Sequence, residues 1–282
     1  MNLADIKVIE KLLTPLGFSF KKSLGQNFLI DDTVCPKMAD FACDADTGVI
    51  EIGPGIGVLT AAVAQKAKRV VAIELDERLK KVLPVTLEEF NNVEVIFADA
   101  LKLDLSALIA EKFGDCKRVA VCANLPYYIT SPLIMALLEK GLPIDTITVM
   151  VQKEAAERLC AKVGTREAGA VTVAVEYYAE SEILFPVLRN SFYPAPNVDS
   201  AVIQLKLRKE HPVVLKDEKF FFKLVKACFA QRRKTLLNTV SNTIGIDKDT
   251  LRKALTDLNL SETVRSEQLT LKELADLANS LC

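Results

Sequence analysis

The 282-residue chain has no tryptophan, one histidine and no Cys-x-x-Cys pair, and its apolar runs are all short. Each scarcity removes a class. One histidine cannot build a multi-histidine metal site, and His211, beside Pro212, reads as a linker residue. Seven cysteines, at positions 35, 43, 116, 122, 160, 228 and 282, are odd in number and stand mostly in apolar contexts, so they read as reduced structural thiols. A membrane helix needs about 18 consecutive apolar residues, a length no run here reaches. The N-terminal MNLADIKVIEKLL mixes charge and apolar residues at helical spacing and lacks a leader's apolar centre and cleavage site. A cytoplasmic location is expected. Bulk charge is equally plain. Lys plus Arg (36) nearly balances Asp plus Glu (37), so only a local basic region could point to nucleic acid.

What is present is apolar and periodic. Half of the residues are hydrophobic, and the length suits one α/β domain with an appendage. GVIEIG (48–53), RVVAIEL (69–75), VEVIFAD (93–99), RVAVCAN (118–124) and DTITVMV (145–151) read as buried parallel strands with helical stretches between them. VTVAVEYYAE (171–180) and SAVIQLKLR (200–208) read as a closing antiparallel pair. The prediction is an α/β fold with a seven-stranded, Rossmann-like doubly wound sheet. After Arg208 the apolar spacing changes to three and four, which predicts a small all-helical domain. The expected domains are 1–208 and 209–282, with HPVVLKDE (211–218) as the linker.

The first strand ends in Glu51-Ile52-Gly53-Pro54-Gly55-Ile56-Gly57. Gly55 and Gly57 permit a tight turn and close backbone approach to a ligand at a helix N-terminus. The order is G-x-G-x-G and not the G-x-G-x-x-G that cradles a dinucleotide pyrophosphate, which disfavours a nicotinamide oxidoreductase and suits a smaller zwitterionic amino-acid group. Glu74 ends the second strand, where a carboxylate can accept from both ribose hydroxyls. Asp99 ends the third and can accept from a cofactor's adenine amine. Asn124 ends the fourth. All of them line one edge of the sheet, and the expected cofactor is S-adenosylmethionine.

The fourth strand runs into Asn124-Leu125-Pro126-Tyr127. The lone pair on N6 of adenine is delocalised into the ring, so that amine is a weak nucleophile. Acceptors for both N6 hydrogens turn the lone pair toward an incoming methyl group. Asn124 Oδ1 and the Leu125 carbonyl are two such acceptors, and Pro126 holds Leu125 extended. Tyr127 offers a ring on which a flipped base can stack. No strong general base is needed, because a sulfonium methyl is already activated and the proton can leave after transfer.

In its motifs the chain resembles the ribosomal RNA adenine N6-dimethyltransferases, the KsgA/RsmA family. The motifs are Lys22-Ser23-Leu24-Gly25-Gln26-Asn27-Phe28-Leu29, Glu51 to Gly57, Ala98 to Leu101, Asn124 to Tyr127, and Phe192-Tyr193-Pro194-Ala195-Pro196-Asn197-Val198-Asp199-Ser200. Five in this order span almost the whole chain. The resemblance implies that Asn27 and Leu29 lie near the cofactor's methionine end with Gly53 beneath it. It also implies that Glu74 holds the ribose, Asp99 the cofactor adenine, and Asn124 both cofactor and target amine, while Phe192 covers the target base opposite Tyr127. Many members carry histidine where this chain has Asn27. Family members put four methyls on two adjacent adenines near the 3′ end of small-subunit rRNA, so the implied partner is 16S rRNA in a small-subunit assembly intermediate, met by a monomer.

Lys21 and Lys22 precede the first motif, and Lys223, Lys226, Arg232, Arg233 and Lys234 cluster within twelve residues. Residues 209–282 hold 13 basic and 10 acidic side chains, net +3, leaving −4 for the rest. A basic helical domain on an acidic catalytic one suits a phosphate-reading arm. Two other readings stay open here. One is a 23S rRNA adenine methyltransferase with the same chemistry, and the other is a non-catalytic ribosome-assembly factor on the same fold.

Overall fold

Val, Ile and Ala runs without polar gaps are stable as strands covered on both faces. The computed structural model, which describes residues 1–17, 27–127, 129–231 and 233–282, forms all five expected parallel runs as strands, four of them largely buried and the edge strand Val93–Phe97 only partly. The order begins with α1 (Ile6–Leu13), capped by Asp5, then β1 (Phe28–Leu29) and α2 (Val34–Ala42). Strands and helices then alternate through β2 (Thr47–Ile52), α3 (Val58–Ala64), β3 (Arg69–Glu74), α4 (Leu83–Thr86), β4 (Val93–Phe97), α5 (Leu105–Lys112), β5 (Arg118–Asn124), α6 (Thr130–Glu139), β6 (Thr146–Gln152) and α7 (Lys153–Leu159). Next come α8 (Ala170–Tyr178), β7 (Ala179–Val187), β8 (Phe192–Tyr193) and β9 (Ser200–Leu207). Four helices follow, α9 (Glu218–Cys228), α10 (Leu236–Ile244), α11 (Lys248–Asp257) and α12 (Leu271–Leu281).

Seven strands form one sheet in the order β4-β3-β2-β5-β6-β9-β7. The first five are mutually parallel, and β9 runs antiparallel to β6. All six residues of β2 are buried, as a central strand requires. The order reverses at β2, which lies between β3 and β5. Connections leaving β2 and β5 diverge there and open a crevice at the strands' C-terminal ends. A separate two-stranded piece pairs β1 with β8, Leu29 opposite Phe192, and brings both residues toward that crevice.

The expected strand over 171–180 is corrected. Residues Ala170–Tyr178 are helical, and the sixth strand to enter the seven-stranded sheet is Ala179–Val187. Val173, Ala174, Val175, Tyr177 and Tyr178 are all buried, so α8 has no polar stripe and shows no 3.6-residue signal. Its β-branched residues then mimic a strand, and tertiary burial decides the outcome. Gly169 begins the helix, its N–H donating to the Thr172 hydroxyl at 2.9 Å. The domain expectation differs from the compact units as well. One unit is Met1–Ala156 with Glu182–Leu207, and the other is Glu157–Ser181 with Arg208–Cys282, so α8 belongs with the C-terminal helices.

Within the second unit the aromatic residues of α8 and α9 pack together. Tyr178 stacks on Phe222 with centroids 5.4 Å apart, and the hydroxyls of Tyr177 and Tyr178 both donate to Glu218, at 3.2 and 2.6 Å. His211 is no free linker residue, because its ring stacks on Tyr177 at 4.2 Å. The segment after it is also tied down, since the Lys216 N–H donates to Asn279 Oδ1 at 2.8 Å. The seven cysteines are free thiols. Among the described residues no helix is long and apolar enough to cross a membrane.

Candidate active site

Beyond Ile52 the chain turns through Gly53 and Gly55, both in the left-handed region with φ of +74° and +59°. A Cβ at Gly55 would also meet the Phe28 ring at 3.1 Å, so glycine is needed there on two counts. The loop is clamped from β3. Glu74 Oε2 accepts the Gly55 N–H at 3.1 Å, and Oε1 accepts the Asp76 N–H at 2.7 Å. Burial raises the Glu74 pKa and these backbone donors oppose the rise.

Glu51, two residues before the loop, is the residue whose role the sequence reading missed. It stands inside a fully buried strand, 1% exposed, and its Oε2 has no hydrogen-bond partner; neither has the buried Thr60 hydroxyl oxygen. Burial, with the charge of Glu74 adding to it, pushes its carboxyl up to about 8. The signal was available, because a carboxylate inside an apolar strand is costly unless something compensates it. A folded pKa above the unfolded one means that stability from this group is complete at low pH and is lost as pH rises toward 8. We expect the ligand-free protein's Tm to fall between about pH 5 and about pH 8, and Glu51→Gln to flatten that segment. Thermal denaturation across that range checks it; an equal fall in the variant overturns the assignment.

Next to β2, β5 ends at Asn124 and passes into Leu125, whose N–H donates to the Met150 carbonyl of β6 at 3.1 Å. The Pro126 carbonyl closes the turn by accepting from the Ile129 N–H at 3.1 Å and the Thr130 hydroxyl at 3.3 Å. Tyr127 is held at its far end by a 2.9 Å hydrogen bond between its hydroxyl and that of Ser200. Asp99, after β4, accepts the Leu101 N–H at 3.1 Å through Oδ1.

One cavity of about 340 Å³ joins these elements, a volume typical of small-molecule sites. Asn27, Leu29, Gly53, Gly55, Glu74, Asp99 and Asn124, expected at the cofactor, all line it, as do Leu125, Pro126, Tyr127 and Phe192, expected at the target base. The family model described as ribosomal RNA adenine dimethylase matches residues 17–281. The chain belongs to the ribosomal RNA adenine dimethylase family. It is 50% identical to ribosomal RNA small subunit methyltransferase A of Geobacillus thermodenitrificans, over 96% of this chain and 94% of that protein. Among solved structures it is similar to a dimethyladenosine transferase from Plasmodium falciparum (TM-score 0.71, 27% identity, 89% of this chain and 95% of that one). It is also similar to the 23S rRNA methyltransferase ErmE (TM-score 0.67, 27% identity, 90% and 99%).

For a chain of the adenine dimethylase family the basic residues matter next. Lys223 and Lys226 stand exposed on α9, and the opposite face of that helix buries Phe221, Leu224 and Val225. Arg233 and Lys234 are exposed in the connection to α10. Lys21, Lys22 and Arg232, expected at RNA, lie outside the described residues, as does the first motif from Lys22 to Gln26.

Proposed function

We propose that this chain transfers methyl groups from S-adenosylmethionine to N6 of two adjacent adenines near the 3′ end of 16S rRNA, giving N6,N6-dimethyladenosine. In this proposal it acts as a cytoplasmic monomer on a small-subunit assembly intermediate. The observation that carries the reading is the convergence of the end of β2, its following glycine loop and the Asn124–Tyr127 turn on one cavity in a chain of this family. The cavity fits the cofactor on its own terms. The unpartnered Glu51 oxygen suits a cationic group, and the glycine turn lets a ligand approach the backbone closely.

When bound, S-adenosylmethionine supplies an electrophilic methyl group on a sulfonium. The rest is positioning by side chains. Each Glu74 oxygen accepts one backbone N–H and keeps a lone pair for a ribose hydroxyl. Asp99, which lines the same cavity, is assigned to accept from the cofactor's adenine amine. Asn124 Oδ1 and the Leu125 carbonyl accept the two N6 hydrogens, and Tyr127 and Phe192 stack on the base. The amine proton leaves to solvent once the methyl group has moved.

In the RNA-binding role, Arg232 and Arg233 together with Lys223, Lys226 and Lys234 read phosphates, with Lys21 and Lys22 contributing from the N-terminal motif. Reversing Arg232 and Arg233 to Glu is expected to weaken RNA binding and to reduce the slope of log K against log salt by about 1.4 to 1.8, two counterions' worth. A filter-binding salt titration measures the slope, and an unchanged slope makes the cluster an ordinary solvated face.

The likeness to ErmE keeps a second reading in view, methylation of 23S rRNA, while the 50% identical relative carries a small-subunit name. Labelled methyl transfer to under-methylated small-subunit particles, mature 30S subunits and large-subunit particles separates them. The proposal expects label in the first alone. Label in large-subunit rRNA overturns the substrate, and equal label in mature 30S subunits overturns the assembly intermediate.

A further inference from the structure

Two neighbouring residues, Asp199 and Ser200, hold the supports of both aromatic walls of the cavity, although neither lines it. Ser200 opens β9 opposite Gln152 of β6, and it is fully buried. Its hydroxyl and that of Tyr127 are 2.9 Å apart. The Tyr127 ring stands at the end of a strand-to-turn connection, and rotation about its side-chain bonds is otherwise limited only by packing. A hydrogen bond at the far end of the ring converts a loosely tethered wall into a fixed one. Burial raises the Tyr127 pKa and the Asp199 charge adds to it, so the phenol stays protonated and able to donate.

Asp199 acts on the other wall. Its Oδ1 accepts the Arg189 N–H at 2.9 Å, at the start of the single 3-10 turn Arg189–Ser191 that delivers Phe192. Its backbone carbonyl accepts the Lys153 N–H at 3.0 Å, which ties the same residue to the end of β6. The turn is held from its far side as well, because the Ser191 hydroxyl donates to Asp31 at 3.0 Å and the Ser191 carbonyl accepts the Ile30 N–H at 2.8 Å.

We propose that Asp199 and Ser200 are positioning residues that together set the spacing and tilt of the Tyr127 and Phe192 rings, and so the slot into which the target adenine stacks. The inference rests on the base-stacking role given above to those two rings. A base that carries one methyl group must re-enter the slot for the second transfer. A loosened slot therefore slows the second step more than the first and lets N6-methyladenosine accumulate.

A double-mutant cycle on Ser200→Ala and Tyr127→Phe tests it, with methylation of small-subunit particles, S-adenosylmethionine calorimetry and the fluorescence of 2-aminopurine placed at the target position as readouts. Each single variant loses one neutral hydrogen bond, so kcat falls by about 3- to 10-fold. The mono- to dimethyl ratio rises and stacking-induced quenching of 2-aminopurine weakens. Cofactor Kd stays within about twofold, and the double variant is no worse than either single one. Asp199→Ala reproduces the quenching defect, and Asp199→Asn, which keeps an acceptor for the Arg189 N–H, restores it. Additive losses, a parallel loss of cofactor affinity, or singles with wild-type ratio and quenching overturn the positioning role. Wild-type protein that makes no dimethyladenosine and gives no quenching points instead to failure of the underlying functional reading.

Discussion

Asn124→Ala is expected to lower the single-turnover rate of methyl transfer by about 100- to 1000-fold, while the fold and RNA affinity remain. The backbone of Asn124 is set by the sheet, where it lies opposite Met150 of β6 at the end of a buried strand. The residue lines the cavity at the opening between β2 and β5. Removing one acceptor aimed at an amine that must be turned in place costs about 2.7–4 kcal/mol in comparable sites. Loss of orientation can add to that figure. RNA affinity is expected to survive because phosphate contacts, and not the contacts of one base-facing side chain, dominate affinity for nucleic acid. Saturating cofactor and RNA in a single turnover separates the chemical step from binding. A rate within about threefold of wild type removes Asn124 from the orientation of N6. The same variant addresses a non-catalytic assembly role, since a protein that works only by binding is indifferent to it.

Glu74→Ala carries the second large effect, a weakening of S-adenosylmethionine binding by about 10- to 160-fold, which corresponds to roughly 1.5–3 kcal/mol. Two losses combine. The carboxylate's proposed bonds to the ribose disappear, and the Gly55 N–H loses the acceptor that holds the loop. Glu74→Gln keeps one carbonyl oxygen and the side-chain length, so its effect falls between alanine and wild type. Titration calorimetry gives both numbers. Unchanged affinity in the alanine variant removes Glu74 from the ribose, and equal loss in both variants points to charge and not to loop support.

Much of this site could be read from the sequence because the sheet makes strand ends predictable. A parallel strand inside a doubly wound sheet is a mostly apolar run, so the polar residue that closes it or follows it, Glu74, Asp99 or Asn124, falls at the crevice. What stayed hidden depends on partners distant in the chain or on burial. Glu51 lies within the run and looked like part of the glycine motif; its lack of a partner is visible only in three dimensions. Ser200 meets Tyr127 across 73 residues, and His211 meets Tyr177 across 34. The helix α8 was misread because burial on all sides erased its periodicity. The expected division at 208/209 differs from the compact units for the same reason, because a strand over 171–180 would belong to the sheet, whereas the helix there groups with the C-terminal helices.

The central claim is dimethylation of two adjacent adenines in small-subunit rRNA by this chain. Mass spectrometry of 16S and 23S rRNA from cells with and without its gene tests it most directly. The account predicts two adjacent N6,N6-dimethyladenosines near the 3′ end of 16S rRNA that vanish without the gene and return with the wild-type chain but not with Asn124→Ala. Retention of both dimethyladenosines in the deletion strain, or their loss from 23S rRNA instead, would contradict it.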